Sequence, residues 1–314
     1  MKLEEDSKEG ILRGTVLGGA NNIFFIAGGH RTVPCYIKGK ILKGTEEEYT
    51  PLSAGDDVLF QEDGRGKGRI LKRLERKNRL ARYNKKGDCP QTIASNIDQV
   101  LLVSSCKSPP FRPRFIDRVC VSAEAEKIPL SICLNKIDLE LDLETKARLD
   151  DFARLGYAIY YTSVKNMQGM NQLKDFLYQK RTLLLGQSGT GKTSLLNVLL
   201  PGKERKVGPI SEKYNRGTHT TVLAYLEISP EGWQVIDTPG VREFEPVGIP
   251  ASELSWYFRD FLPYRSLCLY PNCTHTLEPE CAILTAVEKN KIHPDRYESY
   301  LRLYFSLKER ERDS

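Results

Sequence analysis

Residues 181–200 read "RTLLLGQSGTGKTSLLNVLL", in which a glycine-rich loop separates two apolar runs. Gly186, Gly191, Lys192 and Thr193 fit the pattern G-x-x-x-x-G-K-[ST], in which backbone N–H groups at the start of a helix cradle phosphates. Because the first run suits a buried strand and the second a helix, we interpret the loop as the phosphate loop (P-loop) of a nucleotide-binding α/β domain. We assign nucleotide contacts to nine consecutive residues: Gly186, Gln187, Ser188, Gly189, Thr190, Gly191, Lys192, Thr193 and Ser194.

A D-x-x-G segment follows the P-loop by about fifty residues. "VIDTPG", residues 235–240, comes after a short apolar run, where the second metal-binding strand of such a domain belongs. Asp237 is predicted to hold the shell of a Mg²⁺ ion through water, and the Gly240 N–H to contact the γ-phosphate. The Thr193 hydroxyl is the predicted direct Mg²⁺ ligand from the P-loop.

Between these two motifs, "NRGTHTT" at residues 215–221 has the features of a switch I loop. Either Thr220 or Thr221 can complete the Mg²⁺ coordination in such a loop. The alternative is an ordinary polar loop with no contact to the nucleotide.

The segment "PLSICLNKID", residues 129–138, predicts which base the nucleotide carries. Asn135, Lys136 and Asp138 form an N-K-x-D motif directly after an apolar run. The Asp138 carboxylate can accept hydrogen bonds from guanine N1 and N2, which adenine cannot supply, and the Lys136 stem can pack along the ring. We therefore expect GTP as the nucleotide, which disfavours an ATP-driven enzyme.

The order of these motifs along the chain is unusual. Thr162, Ser163 and Val164, in "YYTSVK", are predicted to close over the base edge. The order is thus guanine loop, closing loop, P-loop, switch I and D-x-x-G, whereas GTP-binding proteins normally carry the guanine loop well after the P-loop. This order predicts a circular permutation, which a domain tolerates because its termini lie at the surface, often close together.

The residue that follows D-x-x-G is also unusual. Ras-like GTPases place a glutamine there to orient the attacking water, but this chain has Val241, which cannot do so. His219, in the predicted switch I loop, is the nearest candidate for the catalytic residue. The alternative is an ordinary surface histidine, because most lone loop histidines have no catalytic role.

Three of the eight cysteines and one of the four histidines lie within fourteen residues near the C-terminus. Cys268, Cys273, His275 and Cys281 give the spacing C-x₄-C-x-H-x₅-C, which supplies the four ligands of a tetrahedral zinc ion. A closed set of four ligands leaves no open catalytic position. We therefore predict one structural zinc per chain, stabilising a helical domain that has little core of its own.

The composition of the segments suggests three domains: a five-stranded oligonucleotide-binding (OB) β-barrel at 1–85, an α/β circularly permuted P-loop GTPase domain at 86–250, and a helical zinc-binding domain at 251–314. An SH3-like barrel is an alternative for the first. Its five strand-like segments are "ILRGTVL", "NNIFFIAG", "HRTVPCYIKG", "DDVLFQ" and "GRILKRL". After residue 250 the segments "ASELSWYFRDF", "CAILTAVEKNK" and "PDRYESYLRLYFSLKERER" are predicted to be helices.

The charge distribution favours a nucleic-acid partner. Residues 65–86 carry eleven Lys or Arg and one acidic residue, Glu75. Because like charges repel one another, a run with so few acidic residues favours an acidic partner such as a nucleic acid. The alternative is a solvated linker face. No apolar run approaches the roughly 18 residues of a membrane span, and the N-terminus lacks a signal-peptide core, so we expect a cytoplasmic location.

Taken together, "NKID", "GQSGTGKTSLLN", "GTHTT", "DTPGVREF", the cysteine cluster and "HPDRYESY" resemble the RsgA (YjeQ) family of ribosome small subunit-dependent GTPases. The resemblance covers nearly the whole chain. It implies binding to the 30S ribosomal subunit and its 16S rRNA late in assembly, GTP hydrolysis to GDP stimulated by that particle, and Mg²⁺ bound with GTP. We expect a monomer. The resemblance also supports His219 as catalytic and favours Thr221 over Thr220 as the Mg²⁺ ligand.

The sequence departs from the family pattern at two positions. Thr193 stands where serine is usual, which keeps the hydroxyl, and Thr218 stands where a longer polar or basic side chain is usual. Because of the second difference, a phosphate or RNA contact from position 218 is not carried over from the family. A different class of function stays open: an RNA-binding module regulated by GTP, with incidental hydrolysis.

Overall fold

The computed structural model describes residues 10–20, 22–29, 31–37, 48–64, 66–200, 224–229, 232–241 and 243–313. The predicted switch I residues His219, Thr220 and Thr221 lie outside these ranges. None of the helices in the described part of the chain combines the length and the apolarity that crossing a bilayer requires.

The first five strands close into a barrel, as the sequence predicts. They are β1 (Ile11–Ala20), β2 (Ile23–Gly28), β3 (Arg31–Ile37), β4 (Asp57–Glu62) and β5 (Gly68–Arg73). Their order around the barrel is β1-β2-β3-β5-β4, and only the β3–β5 pair is parallel. Alternate residues point inward, so Phe24, Ile26, Val33 and Cys35 are buried with Phe60 of β4. The barrel therefore has an apolar core of its own.

A two-stranded hairpin follows the barrel and was not predicted. It consists of β6 (Arg79–Asn84) and β7 (Cys89–Ser95), which form a separate two-stranded sheet, and a β-bridge links Ala94 of β7 to Ala54 before β4. The carboxylate of Glu48, before β4, accepts hydrogen bonds from Arg76 at 2.9 Å and from Arg79 at 2.8 Å. These ion pairs attach the hairpin to the barrel.

The central sheet has six strands in the order β10-β9-β8-β11-β13-β12. They are β8 (Gln99–Ser105), β9 (Leu130–Asn135), β10 (Ala158–Thr162), β11 (Arg181–Gly186), β12 (Tyr225–Ile228) and β13 (Gln234–Asp237). All neighbouring pairs are parallel except β12 with β13. The predicted strands at 99–105, 129–136, 158–163 and 181–187 are therefore confirmed.

Helices cover both faces of this sheet. They are α1 (Pro113–Ala125), α2 (Leu143–Arg154), α3 (Met170–Leu177) and α4 (Lys192–Leu199). Along β8, Val100 and Leu102 pack with the side chains of α1 and α2, whereas Leu101 and Val103 pack with those of α3 and α4. Strands buried on both faces read as continuous apolar runs, which is why the sequence predicted them.

The C-terminal region is helical, with one difference from the prediction. Residues Ala251–Tyr257 form a 3₁₀ helix, where an α-helix over 251–261 was predicted. The α-helices are α5 (Leu262–Arg265), α6 (Ala282–Glu288) and α7 (Pro294–Asp313). The buried residues Leu254, Phe258 and Phe261 pack against Leu303 of α7, so tertiary packing overrides the α-helical pattern of this segment.

Candidate guanine nucleotide site and metal centre

The P-loop connects β11 to α4, and two of its glycines are required by space. Gly186 ends β11, where an added Cβ would lie 2.2 Å from the Val103 carbonyl oxygen. Gly191 precedes α4 at φ +95, and a Cβ there would lie 2.3 Å from Asn135 Nδ2. Both neighbours belong to the parallel strands beside the loop, so no larger residue fits.

Lys192 lies in the first turn of α4 with its side chain almost completely buried. Its Nζ donates to the carbonyl oxygens of Gly186 at 2.7 Å and Gln187 at 3.0 Å. Burial lowers the pKa of Lys192 from 10.5 to about 8, and the nearby Asp237 carboxylate opposes the shift. The ammonium group is thus held inside the loop that the sequence assigns to phosphate, with Thr193 and Ser194 half-buried behind it.

The N-K-x-D residues lie beside the P-loop, although residues 139–185 separate the two motifs along the chain. Asn135 ends β9, and its Nδ2 donates to the Thr190 carbonyl oxygen at 2.9 Å. Lys136 Nζ donates to the Gly189 carbonyl oxygen at 2.6 Å. The structure therefore brings the predicted guanine loop and phosphate loop together at the carboxyl ends of β9 and β11, two parallel strands on either side of β8, where α/β sheets bind ligands.

The predicted closing loop follows β10 and is bonded to the guanine loop. Thr162 Oγ1 donates to Asn135 Oδ1 at 3.1 Å, and Ser163 Oγ donates to Asp138 Oδ1 at 2.7 Å. The hydrogen bond from Ser163 lowers the pKa of Asp138, so this carboxyl stays ionised and acts only as an acceptor. Val164, the third predicted residue, is half-buried beside them.

The D-x-x-G segment lies against the P-loop. The Val241 N–H donates to the Gly186 carbonyl oxygen at 3.2 Å, and a Cβ added at Gly240 would lie 2.6 Å from the backbone nitrogen of Ser188. Val241 itself is 7% exposed and packs into the main core. The side chain that replaces the usual glutamine is therefore a core residue, facing away from solvent.

The sequence did not predict one further part of this site, the turn after β8. The Ser108 carbonyl oxygen accepts a hydrogen bond from Lys136 Nζ at 2.5 Å. Any residue has a backbone carbonyl that can make such a contact, so no pattern of residue types predicts it. The sequence therefore gave no signal for this turn.

The four predicted zinc ligands converge in the C-terminal region. Their ligand atoms all lie within 4.8 Å of one another. His275 Nδ1 is 3.5 Å from both Cys268 Sγ and Cys281 Sγ, and these two sulfurs are 3.9 Å apart. A tetrahedral ion with bonds of about 2.0–2.3 Å separates its ligand atoms by roughly 3.3–3.8 Å, so the geometry fits zinc.

The surroundings of the cluster also suit a metal. Burial lowers the pKa of His275, which favours the neutral ring that binds metals. The Tyr297 hydroxyl donates to the His275 carbonyl oxygen at 2.9 Å, and Glu278 accepts from the backbone N–H groups of Thr274 and Thr276 at 2.6 and 2.9 Å. These bonds fix the turn that carries the histidine, as partners around a metal site do.

Comparison with known proteins agrees with this arrangement. The family model for RsgA GTPase matches residues 73–246. A protein of Borrelia garinii named small ribosomal subunit biogenesis GTPase RsgA is 41% identical to this chain, over 93% of it and 95% of the relative. The chain belongs to the RsgA GTPase family. A relative with the same name from Chlorobaculum tepidum is 38% identical over 89% of this chain and 91% of its own.

Two solved structures extend the likeness of this RsgA-family chain to nearly its whole length. YjeQ from Thermotoga maritima is 30% identical with a TM-score of 0.71, covering 95% of this chain and 98% of its own. YloQ, described as a circularly permuted GTPase, is 27% identical with a TM-score of 0.68 and covers 99% of both chains. The permuted order of the motifs is therefore confirmed, and the chain is a GTP-hydrolysing enzyme of this family.

The basic run of the RsgA-family chain is divided between two environments. The Arg76 guanidinium is bonded to Asp56 at 2.7 Å as well as to Glu48, and Lys85 pairs with Glu245 at 3.0 Å. Other members of the run are exposed in the structure: Lys67, Lys72, Lys77 and Lys86. Part of the charge of residues 65–86 is therefore met by carboxylates of the chain itself, and nucleic-acid contact by the run stays a prediction.

Proposed function

We propose that this chain binds the 30S ribosomal subunit and acts late in its assembly, hydrolysing GTP to GDP and phosphate when the particle stimulates it. The supporting observation is that the side chain of Asn135 bonds to the Thr190 carbonyl oxygen and that of Lys136 to the Gly189 carbonyl oxygen. These bonds hold the guanine loop beside the P-loop in a chain of the RsgA family. The names of the relatives, which refer to small ribosomal subunit biogenesis, support the partner.

The nucleotide assignments are part of the proposal. Asp138 reads the guanine edge, Lys192 binds the β- and γ-phosphates, and the Gly240 N–H responds to the γ-phosphate. Thr193 and Thr221 are the proposed Mg²⁺ ligands. When bound, this ion neutralises charge on the phosphate oxygens.

We assign the orientation of the attacking water to His219. The support is that Val241 occupies the position of the usual glutamine and is buried in the core. His219 itself lies outside the described residues, so its assignment rests on its position before the paired threonines.

The remaining partners follow from composition and geometry. One structural zinc per chain is proposed at Cys268, Cys273, His275 and Cys281, whose ligand-atom spacing supports it. Contact with 16S rRNA is proposed through the exposed lysines of the basic run and the barrel beside it. A cytoplasmic monomer is the proposed form.

Steady-state GTP hydrolysis tests this function. The purified chain would be measured alone and with 30S subunits, 50S subunits or 70S ribosomes, with His219→Ala alongside. Stimulation confined to 30S supports the assembly function, and its loss in His219→Ala with unchanged GTP binding supports a catalytic histidine. Equal rates with every particle, together with RNA binding, would favour the alternative of a GTP-dependent RNA-binding module with incidental hydrolysis.

A further inference from the structure

The turn at residues 105–109, here called the β8 turn, lies between the guanine loop and the P-loop. It contains none of the nucleotide-binding motifs. On one side it contacts Lys136 of the guanine loop. On the other side the Pro109 ring lies beside Gly189, where an added Cβ would be 3.4 Å from Pro109 Cδ.

The β8 turn holds both ends of Lys136. Cys106 Sγ donates to the Lys136 carbonyl oxygen at 3.1 Å, and the Ser108 carbonyl oxygen accepts from Lys136 Nζ at 2.5 Å. A third link joins the same two loops, because Lys107 Nζ lies 3.0 Å from the Glu140 carboxylate. Among the described residues, Lys136 thus has partners on its backbone and on its ammonium group from one short turn.

Lys136 needs such support because of its backbone conformation. Its φ is +64, a left-handed value that a residue with a long side chain adopts only when its surroundings fix it. Lys136 is also the residue whose stem is assigned to the guanine ring. A loss of support would therefore displace the stem from the base.

The turn is itself fixed from within the sheet. Ser105 is the last residue of β8 and is 1% exposed. Its Oγ lies 2.5 Å from the Lys107 carbonyl oxygen and 3.0 Å from that of Pro109, both of which can accept its proton. One buried hydroxyl therefore spans the turn and sets where Ser108 presents its carbonyl.

We propose that Ser105 and Cys106 are positioning residues of the guanine site, which hold Lys136 against the base and so set the affinity for GTP and GDP. This inference rests on the proposed assignment of Lys136 to the guanine ring. The hydrogen bonds of Ser105 and Cys106 described above go to the turn itself and to the guanine loop. The β8 turn should consequently affect nucleotide binding and leave the hydrolytic step unchanged.

The test measures the Kd of a fluorescent GDP analogue, and the KM and kcat of GTP hydrolysis, in full-length variants. Ser105→Ala and Cys106→Ala should each raise Kd and KM about three- to tenfold, the effect of one lost hydrogen bond. The kcat at saturating GTP should stay within about twofold of wild type. Cys106→Ser keeps a donor for the Lys136 carbonyl and should restore Kd to within about twofold.

Ser104→Ala is the matched control, because Ser104 is also buried near the end of β8 and precedes the turn. Its Kd should equal that of wild type. Unchanged Kd in both Ser105→Ala and Cys106→Ala would overturn the proposal, as would a fall in kcat with no change in KM. If Cys106→Ala folds poorly, as judged by its melting temperature, Cys106→Ser and Ser105→Ala decide the matter. Failure of the wild-type chain to bind guanine nucleotides would instead defeat the proposed function.

Discussion

The guanidinium of Arg296, on the last helix, donates to the carboxylate of Asp117, on the first helix of the GTPase domain, at a distance of 2.6 Å. Both side chains are almost completely buried. Arg296 also forms two hydrogen bonds with Asp260, at 2.8 and 2.9 Å. The C-terminal helical region is thus joined to the GTPase domain by a buried ionic contact as well as by apolar packing.

Replacing this arginine should destabilise the chain. Arg296→Met removes the cation bonded to Asp260 and the nearer of the two cations beside Asp117, whose other partner is Arg148 at 3.6 Å; breaking such a buried pair typically costs about 3–5 kcal/mol. Urea unfolding of the full chain, followed by circular dichroism, measures the change in free energy of unfolding. Arg302→Met is the control, because Arg302 lies on the same helix but forms an exposed pair with Glu298, and should cost under about 1 kcal/mol. Equal stabilities of the two variants would contradict the prediction.

The sequence predicted most of the strands and the motif positions because these depend on local patterns. Buried parallel strands are short apolar runs, and the P-loop needs glycines where the chain has them, at Gly186 and Gly191. The hairpin β6–β7 was missed because its strands, "RLARYN" and "CPQTIAS", contain no run of apolar residues. The arginines that attach it, Arg76 and Arg79, bond to Glu48, which lies in a distant loop and carries no pattern of its own.

The same limit applies to the candidate site. The residues of the guanine loop and P-loop were predicted by type and spacing, but the contacts between them were not. The Asn135 side chain bonds to a P-loop carbonyl, and the β8 turn contributes the carbonyl of Ser108. Contacts made by backbone groups are independent of residue type, so only the folded arrangement reveals them.

Nucleotide binding should take up a proton at alkaline pH. Burial lowers the pKa of Lys192 to about 8, and a bound phosphate favours its charged form. Because the folded pKa is depressed, the unfolded chain binds more protons between about pH 8 and 10.5, so the stability of the nucleotide-free protein rises with pH in that window. Affinity for GDP should fall over the same window.

Titration calorimetry at about pH 8.5, in two buffers of different ionisation enthalpy, measures this proton uptake. We expect more than half a proton per GDP bound there, and much less at about pH 7. A binding enthalpy that is independent of the buffer at pH 8.5 would show that Lys192 is already charged without nucleotide.

Gly240→Ala should impair hydrolysis more than binding. The added Cβ would lie 2.6 Å from the Ser188 backbone nitrogen, so the D-x-x-G segment must move off the P-loop. The N–H assigned to the γ-phosphate then loses its position, whereas GDP has no γ-phosphate to contact. We expect GDP affinity within about threefold of wild type and a stimulated rate at least tenfold lower. Equal losses in GDP affinity and in rate would contradict this.

Removal of one zinc ligand should abolish metal binding and destabilise the C-terminal region. Cys281 is 3% exposed and is the N-cap residue of α6, so Cys281→Ser removes a thiolate from the cluster while keeping a residue that caps helices well. Metal analysis should find one zinc per wild-type chain and less than about a tenth in the variant, with a lower melting temperature. Cys89→Ser, outside the cluster, should keep its zinc. A wild-type chain that folds normally without metal would refute the structural assignment.

Asp138→Asn should change the base that the site prefers. The carboxylate accepts hydrogen bonds from guanine N1 and N2, whereas an amide can donate to the additional carbonyl oxygen of xanthine. Loss of charge-assisted hydrogen bonds worth about 3 kcal/mol should lower GDP affinity roughly a hundredfold, and xanthosine diphosphate should bind better than it does to wild type. The Ser163 hydroxyl can still donate to the amide oxygen, so the loop should keep its conformation. Competition binding with both nucleotides measures the change.

A matched control for this substitution lies four residues further along the chain. Asp142 is also a carboxylate whose pKa is lowered by hydrogen bonds, but it caps α2 by accepting from the Thr145 N–H at 2.7 Å. Asp142→Asn should leave the base preference unchanged and alter stability by less than about 1 kcal/mol, because asparagine is also a good cap. If Asp138→Asn left the preference for guanine over xanthine unchanged, the base would be read by other groups, and the assignment of Asp138 would have to be abandoned.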